Sequence, residues 1–504
     1  MEVYGNYDVI VVGGGASGCA AAIESARTGA KTILIETLGI VGGMVNVVGP
    51  PGWAFAHLWN EHGEDIIGGF VKETHDILER EGHALPYPAP QDRSWCSLSM
   101  IDPDHYGLLM FRMLRDYDVS LLLHTMAVDV LKEGDTVCGV VVENTNGRQA
   151  VMGKVVIEAS GEGDIAVRAG VPYTKIDRTK EEIDPPSITF HMDGIDWNKV
   201  TQYYKEHIDQ LQPIRNGIYD KEMRRIEGIR QRALECDSIL DLVRIGVLGN
   251  LEYADLSMKA MQAGDLEPYG DLGHFMAPRS HDHFQAVFQH TAQIKDCDTT
   301  DVTEWSYGES EARRQIEIAI KAINKYLPGY ENAYLTRVTA AMRTREGRHF
   351  IADYQMQTED VVSSRKFPDV IAKCMQCVNE GGPFHTAGNK NVLSGESNED
   401  SDLSVAMASF TKFKYPQDGG SYDIPYRCMV PKGVEGMLIT GKCLSLSEDF
   451  KRDLLPDNIV WGQAAGIAAA LCVRDCLTPR ELEDHVEDLQ AILLEHGAIL
   501  YGTK

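Results

Sequence analysis

Tyr7-Asp8-Val9-Ile10-Val11-Val12 runs straight into Gly13-Gly14-Gly15-Ala16-Ser17-Gly18, and the fold follows from that junction. The first run is rich in β-branched residues, as in a strand buried on both faces. The small-residue segment Cys19-Ala20-Ala21-Ala22-Ile23-Glu24-Ser25-Ala26-Arg27-Thr28, closed by Gly29, predicts a helix. Lys31-Thr32-Ile33-Leu34-Ile35 predicts a second strand, which ends at Glu36. Each part has a physical task. Gly13 permits the tight turn out of the strand. Gly15 lets backbone approach a pyrophosphate, with Ala16 and Ser17 beside it, and the helix N-terminus favours its charge. Gly18, with Ala22 and Ala26, keeps the helix face thin enough to lie close on a sheet. Glu36, eighteen residues past Gly18, is placed to accept hydrogen bonds from an adenosine ribose. An acid at that point argues against a 2′-phosphate. The unit predicts a parallel α/β dinucleotide site and leaves NAD and FAD both open.

The rest of the composition sets bounds. The chain has 504 residues, 43% hydrophobic and 24% charged, which fits a globular protein with a large core and excludes disordered or fibrous classes. Lys and Arg number 48 against 75 Asp and Glu, a net charge of −27. Such a surface repels phosphate backbones and anionic lipid, so neither nucleic acid nor a membrane is an expected partner. Eleven scattered cysteines do not form a paired framework. With no positively charged apolar leader, and no apolar run approaching the ~20 residues that span a bilayer, the expected location is the cytoplasm.

After Glu36 comes Gly39-Ile40-Val41-Gly42-Gly43-Met44. With this segment the chain resembles the FAD-dependent oxidoreductases of the glutathione-reductase-like superfamily. Within them it resembles the family that carries Gly-Gly-Met shortly after the ribose acid, related in fold to fumarate reductase and succinate dehydrogenase flavoproteins. Two further stretches carry the resemblance: Val155-Val156-Ile157-Glu158-Ala159-Ser160-Gly161-Glu162-Gly163-Asp164, and Gly436-Met437-Leu438-Ile439-Thr440-Gly441-Lys442-Cys443, the latter followed by Pro456 and Gly462-Gln463-Ala464-Ala465-Gly466. The resemblance implies FAD as cofactor. Its contacts would include Gly42, Gly43, Met44, Ala127, Ala159, Ser160, Gly161 and Gly441. Gly462, Gln463, Ala464 and Ala465 would belong to a closing helix whose N-terminal amides face the flavin's pyrimidine carbonyl.

A β-meander is expected over Met126–Leu131, Val137–Glu143 and Ala150–Ile157, with turns at Gly134-Asp135 and Asn146-Gly147. It follows a buried strand at Leu121–His124. The expected architecture is a Rossmann-like FAD-binding domain, parallel sheet plus meander, discontinuous over 1–168 and 418–477. An inserted α+β substrate or cap domain would occupy 169–417, and a C-terminal helix 478–504. Within the insert, Ser187–Met192 reads as a strand, Glu222–Ala233 and Ser310–Tyr326 as helices, and 381–420 as a long loop. Thr478-Pro479-Arg480-Glu481 carries a capping box that would start the last helix, expected to end near Gly497 and to serve packing or a subunit contact.

Candidate chemistry gathers at four residues. His57 lies in an alternating stripe with Trp53, Phe55 and Trp59, which reads either as pocket lining or as aromatic core; an imidazole there could move a proton. Arg345 and His349 lie in Arg343-Thr344-Arg345-Glu346-Gly347-Arg348-His349, which resembles a charged segment of the family. It could hold an anionic substrate or be a solvated or inter-domain ion pair. Arg452, near Pro456, is a candidate anion-binding group, one position away from the family's usual spacing. Tyr426 and Arg427 read as structural. Cys374 and Cys377 read as core cysteines on a helix, and no metal-ligand spacing is evident. The expected function is hydride transfer between a polar small molecule and bound flavin, with an electron donor or acceptor of unknown kind. The rival readings are an electron-relay subunit, a non-redox or structural FAD, and an NAD-binding protein without flavin. A homo-oligomer is possible.

Overall fold

A computed structural model describes residues 1–49, 55, 58–87, 99–178, 185–208, 228, 231–244, 253–267, 270–280, 283–379, 413–450 and 455–503. Strand β1 (Glu2–Val12) turns into helix α1 (Ala16–Arg27), which returns to strand β2 (Thr32–Ile35). β1 and β2 pair in parallel, with Val9 opposite Thr32. Val9 to Ile35 supply a dry centre because helices cover one face and the meander's far end the other. Helices α2 (Gly69–Arg80) and α3 (Pro103–Asp116) then lead to β3 (Ser120–Leu122), parallel to β2. The expected strand at Leu121–His124 ends two residues early, since His124 adopts φ +51°.

The meander forms where the turn residues place it: β4 (Met126–Glu133), β5 (Thr136–Asn144) and β6 (Gly147–Glu158), all antiparallel. β6 is long enough to serve twice. Along its length it is the parallel neighbour of β1, and the sheet order is β3-β2-β1-β6-β5-β4. Helix α4 (Asp164–Ala169) follows directly.

A second, fully antiparallel sheet comes next, from β7 (Ser187–Asp193), β8 (Phe275–Ser280), β9 (His283–Gln293) and β10 (Tyr334–Val338), in the order β10-β7-β9-β8. Helix α5 (Val302–Tyr326) packs across it with Ile316, Ala319 and Ile323 against Phe190 and Phe288. It starts eight residues before the predicted Ser310. Its first turns are polar and exposed, so no apolar period marks them, and Asp301 caps them through Thr303 N and Glu304 N. The helix expected over Glu222–Ala233 falls mostly outside the described residues, as does most of the 381–420 loop.

The chain then returns. β11 (Val370–Cys374) pairs with β12 (Tyr422–Pro425), and β13 (Met437–Ile439) joins the first sheet in parallel with Val156–Glu158 of β6. Helix α6 (Leu455–Asp475) lies along α1, and α7 (Val486–Glu495) packs on α6. Cys374 and Cys377 are buried as expected, but Cys374 ends a strand and not a helix: the whole run Val370–Cys374 is buried, which suits an extended segment covered on both faces. The capping box is present, with Thr478 N donating to Glu481 Oε2 at 2.8 Å and Glu481 N to Thr478 Oγ at 3.1 Å. It opens a short turn, Glu481–His485, ahead of α7. Among the described residues no helix is long and apolar enough to cross a membrane.

Candidate functional site

The glycines after β1 divide into those that close the structure and those that leave it open. Gly13 takes φ +102°, and a β-carbon there would stand 2.6 Å from the Ala159 carbonyl. A β-carbon on Gly18 would stand 1.8 Å from the Gly13 oxygen, and one on Gly43 2.7 Å from the α-carbon of Gly15. Gly42 N donates to Gly14 O at 2.8 Å, so the two glycine loops are bonded to each other, with Met44 in the turn that follows. Gly15 and Gly161 differ: a β-carbon on either would meet nothing within 4 Å. Gly15 is also the N-cap of α1, with no side chain capping it and no acid in the first turn, where Ala16 and Ser17 stand. The result is an open backbone concavity at an uncapped helix N-terminus, which fits a pyrophosphate.

Glu36 stands at the edge of this concavity. Its carboxylate accepts from Gly14 N at 2.6 Å and from Leu38 N at 2.8 Å, which fixes it at the end of β2. Thr125 N donates to the Glu36 carbonyl, and Ala127 lies two residues further along β4, half-buried.

Glu158, which sequence reasoning did not single out, organises the second loop. It is fully buried at the end of β6 and accepts from Ser160 N (2.8 Å), Ile165 N (2.9 Å) and Ala166 N (3.2 Å). It therefore shapes the Ala159-Ser160-Gly161 turn and caps α4 together. Burial pushes its carboxyl above the usual range. The signal was legible in principle: an acid closing an apolar run, six residues before a helix. Just past the neighbouring strand β13, Thr440 Oγ lies 3.2 Å from Ser17 Oγ, and Gly441 passes directly over Ser17.

The closing helix forms where it is expected: α6 begins at Leu455 with Pro456 in its first turn, and Gly462, Gln463, Ala464 and Ala465 lie about two turns inside it. Gly462 and Gly466 let α6 approach α1, each against a backbone carbonyl, Ser17 and Ala21. Gln463 Oε1 accepts from Phe70 N at 3.2 Å, which ties in α2. The first turn of α6 holds Asp457, which is buried against Cys374 and Tyr422 and accepts from Gln376 Nε2. Burial pushes its carboxyl up to about 8.

The charged segment is buried, not solvated. Arg343, Arg345 and His349 are at most 3% exposed. Arg343 Nη1 donates to Gln289 Oε1 on β9 at 3.2 Å. Arg348 Nη1 donates to Glu162 O at 2.7 Å and to Asp164 Oδ1 at 2.8 Å. Lys442 Nζ pairs with the Glu162 carboxylate and donates to Thr344 Oγ at 2.8 Å. His349 Nε2 lies 3.3 Å from Glu346 Oε2. The segment that carries Arg345 and His349 is thus tied to the Gly161 and Gly441 turns through Thr344, Arg348, Glu162 and Lys442. His57 and Arg452 lie outside the described residues, as does Trp53. The described part of the aromatic stripe is core: Phe55 packs edge-on to His75 and Tyr106, and Trp59 is buried. Tyr426 and Arg427 are structural, with Tyr426 donating to Pro479 O at 2.8 Å and Arg427 Nε to Asp369 at 2.9 Å.

Comparison with known proteins agrees with this geometry. The sequence model of the family described as FAD dependent oxidoreductase matches residues 8–493. The chain belongs to that family. Its cofactor is FAD, and it is a flavin-dependent oxidoreductase. Among curated proteins it is similar to the tRNA uridine 5-carboxymethylaminomethyl modification enzyme MnmG of Campylobacter hominis, 33% identical over 138 residues, 27% of this chain and 21% of that protein. The same enzyme of Alkaliphilus oremlandii is 33% identical over 161 residues, 31% of this chain and 24% of that protein. The chain therefore matches less than a quarter of the length of these relatives. Among solved structures, a geranylgeranyl bacteriochlorophyll reductase-like protein of Thermoplasma acidophilum aligns over 98% of this chain and 84% of its own, at 12% identity and a TM-score of 0.43. The anhydrotetracycline hydroxylase OxyS of Streptomyces rimosus aligns over 97% and 67%, at 11% identity and a TM-score of 0.43.

Proposed function

We propose that this protein moves a hydride between a polar small molecule, carboxylate-bearing or polyhydroxylated, and its flavin. The observation that supports the reading is the buried cationic segment Arg343–His349, bonded through Lys442 and Glu162 to the two loops beside the open concavity. Charges held dry at a junction between two sheets suit recognition of a polar or anionic compound.

In this reading the Gly13–Gly18 turn and the α1 N-terminus take the pyrophosphate, Glu36 the ribose, and Gly42–Met44 and Ser160–Gly161 line the rest of the cofactor. FAD supplies, when bound, the two-electron chemistry that no side chain here can perform. Arg345 holds the substrate's anionic group through its planar fork. Glu346, 3.3 Å from His349 Nε2, orients the imidazole, and His349 gives or takes the proton that accompanies the hydride. The substrate domain would be the 169–417 insert, and the setting the cytoplasm. A tRNA substrate, which the name of MnmG states for that enzyme, is not adopted: the match covers a minor part of it, and a net charge of −27 opposes a phosphate backbone.

The test is anaerobic photoreduction of the FAD-loaded protein followed by a screen of organic acceptors. Re-oxidation by at least one of them is expected, together with a loss of roughly 100-fold or more in turnover for His349→Gln with flavin retained. Failure of every organic compound to re-oxidise the flavin leaves the electron-relay or structural-FAD reading in its place.

A further inference from the structure

We propose that His83, Asp102 and His105 form a binding site for one divalent transition-metal ion, separate from the flavin site. His83 lies in the turn after α2, Asp102 is the N-cap of α3, and His105 stands in the first turn of α3. One ligand atom from each lies within 4.8 Å of the other two. The two imidazole rings stack with centroids 3.3 Å apart and planes 14° from parallel.

The bonding around the cluster leaves the three ligand atoms without partners outside the cluster among the described residues. Asp102 Oδ1 takes all the donors: Asp104 N at 2.9 Å, His105 N at 3.3 Å and Arg279 Nη1 at 2.9 Å. Asp102 Oδ2, His83 Nδ1 and His105 Nδ1 are buried atoms without a hydrogen-bond partner among the described residues, although Oδ2 is 3.1 Å from His105 Nδ1. A carboxylate steered by one oxygen with the other aimed at two imidazoles is the outer-shell pattern of a metal site.

The backbone is fixed in advance. Asp102 N donates to His83 O at 2.8 Å, and Ala84 and Ile101 form an antiparallel bridge, so the two segments are held together. Arg279 places a positive charge nearby, which opposes a cation. Asp104 offsets it, bonded to Arg279 at 3.0 Å and to Arg337 at 2.8 Å. Two imidazoles and one carboxylate suit Zn²⁺, Co²⁺ or Fe²⁺ and not Mg²⁺ or Ca²⁺. Both histidines are half-buried, which leaves the remaining coordination positions to water. Through Arg279 on β8, an ion here would also brace α3 against the second sheet.

The test is calorimetric titration of chelator-treated, FAD-loaded protein with Co²⁺. One ion per chain is expected, with affinity lowered more than about tenfold in both His83→Gln and His105→Gln while flavin content stays the same. Absence of saturable binding, or unchanged affinity in either histidine variant, overturns the proposal. Where those variants lose flavin or fold, Asp102→Asn decides, because asparagine keeps the helix cap and loses the anionic ligand. Weakened Co²⁺ binding in Asp102→Asn then supports the site, and unchanged binding removes it.

Discussion

Gly462 on α6 lies so close to Ser17 on α1 that a β-carbon at 462 would stand 2.2 Å from the Ser17 carbonyl oxygen. Ser17 lies in the first turn of the helix at the open concavity, so a residue near the far end of the chain sets the height of that helix over the sheet. Gly462→Ala must push α6 away or tilt α1, at a cost of about 1–3 kcal/mol. The expected outcome is a lower melting temperature together with a lower flavin-to-protein ratio on purification. Full flavin occupancy and an unchanged melt in Gly462→Ala would show that the two helices do not have to touch there.

Gly15 and Gly18 separate cofactor binding from folding. A β-carbon at 18 collides with the Gly13 oxygen at 1.8 Å, whereas one at 15 meets nothing within 4 Å. Gly18→Ala should therefore destabilise the protein even without flavin. Gly15→Ala should leave the melting temperature of the flavin-free protein as it is, and weaken FAD binding more than about tenfold by occupying the concavity, since backbone N–H groups there must reach the phosphates. Differential scanning calorimetry of flavin-free protein and an FAD titration distinguish the two. Tight FAD binding by Gly15→Ala would move the pyrophosphate elsewhere.

The first sheet was legible because its local signals agree with its tertiary role. β1, α1 and β2 combine a buried β-branched run, close-packing glycines and a strand-end acid, and the meander's turns fall at Gly134 and Gly147, both with positive φ. The site was legible only where a backbone requirement marks the sequence. Glu158 and Lys442 escaped notice because single charged residues leave no period and acquire meaning through partners more than a hundred residues away or in the next loop. On α6 the helix was legible, but the role of Gly462 and Gly466 as the face that packs on α1 depends on a partner helix more than four hundred residues away. His83 and Asp102 are likewise brought together by the Ala84–Ile101 β-bridge, which the eighteen residues between them do not announce.

Asp457 gives a pH dependence with a definite sign. Its carboxyl is pushed up to about 8 in the folded protein by burial, from an ordinary value of 3.8. Below about pH 4 both folded and unfolded forms are neutral at this residue, and its contribution is complete. Between about 4 and 8 the unfolded chain releases the proton and the folded chain keeps it, so stability declines as pH rises, and above 8 the loss levels off. Asp457→Asn has no proton to release. The melting temperature of the wild type minus that of Asp457→Asn should fall steadily from pH 5 to pH 8. A difference that stays flat across that range would mean the acid is ionised in its site beside Gln376.

Three buried histidines act in the opposite direction at lower pH. His75, His191 and His274 are each held down to about 3, chiefly by burial. His75 Nε2 bonds Ser99 Oγ at 2.6 Å, and His274 meets Tyr330, so both rings are built into the packing as neutral groups. Their folded values lie below the unfolded value of 6.5. The stability they provide is present above about 6.5 and is lost as pH falls from there toward 3, because the unfolded chain takes up protons that the folded chain refuses. Unfolding at pH 5 should therefore absorb protons, about one for each of these histidines, measurable by calorimetry in buffers of different ionisation enthalpy. Replacing His274 with Asn should reduce that uptake by about one, at some cost in stability through the lost Tyr330 contact. An uptake at pH 5 that does not change in His274→Asn would show that this imidazole is already protonated in the folded protein, and that the Tyr330 hydroxyl accepts from it instead of donating.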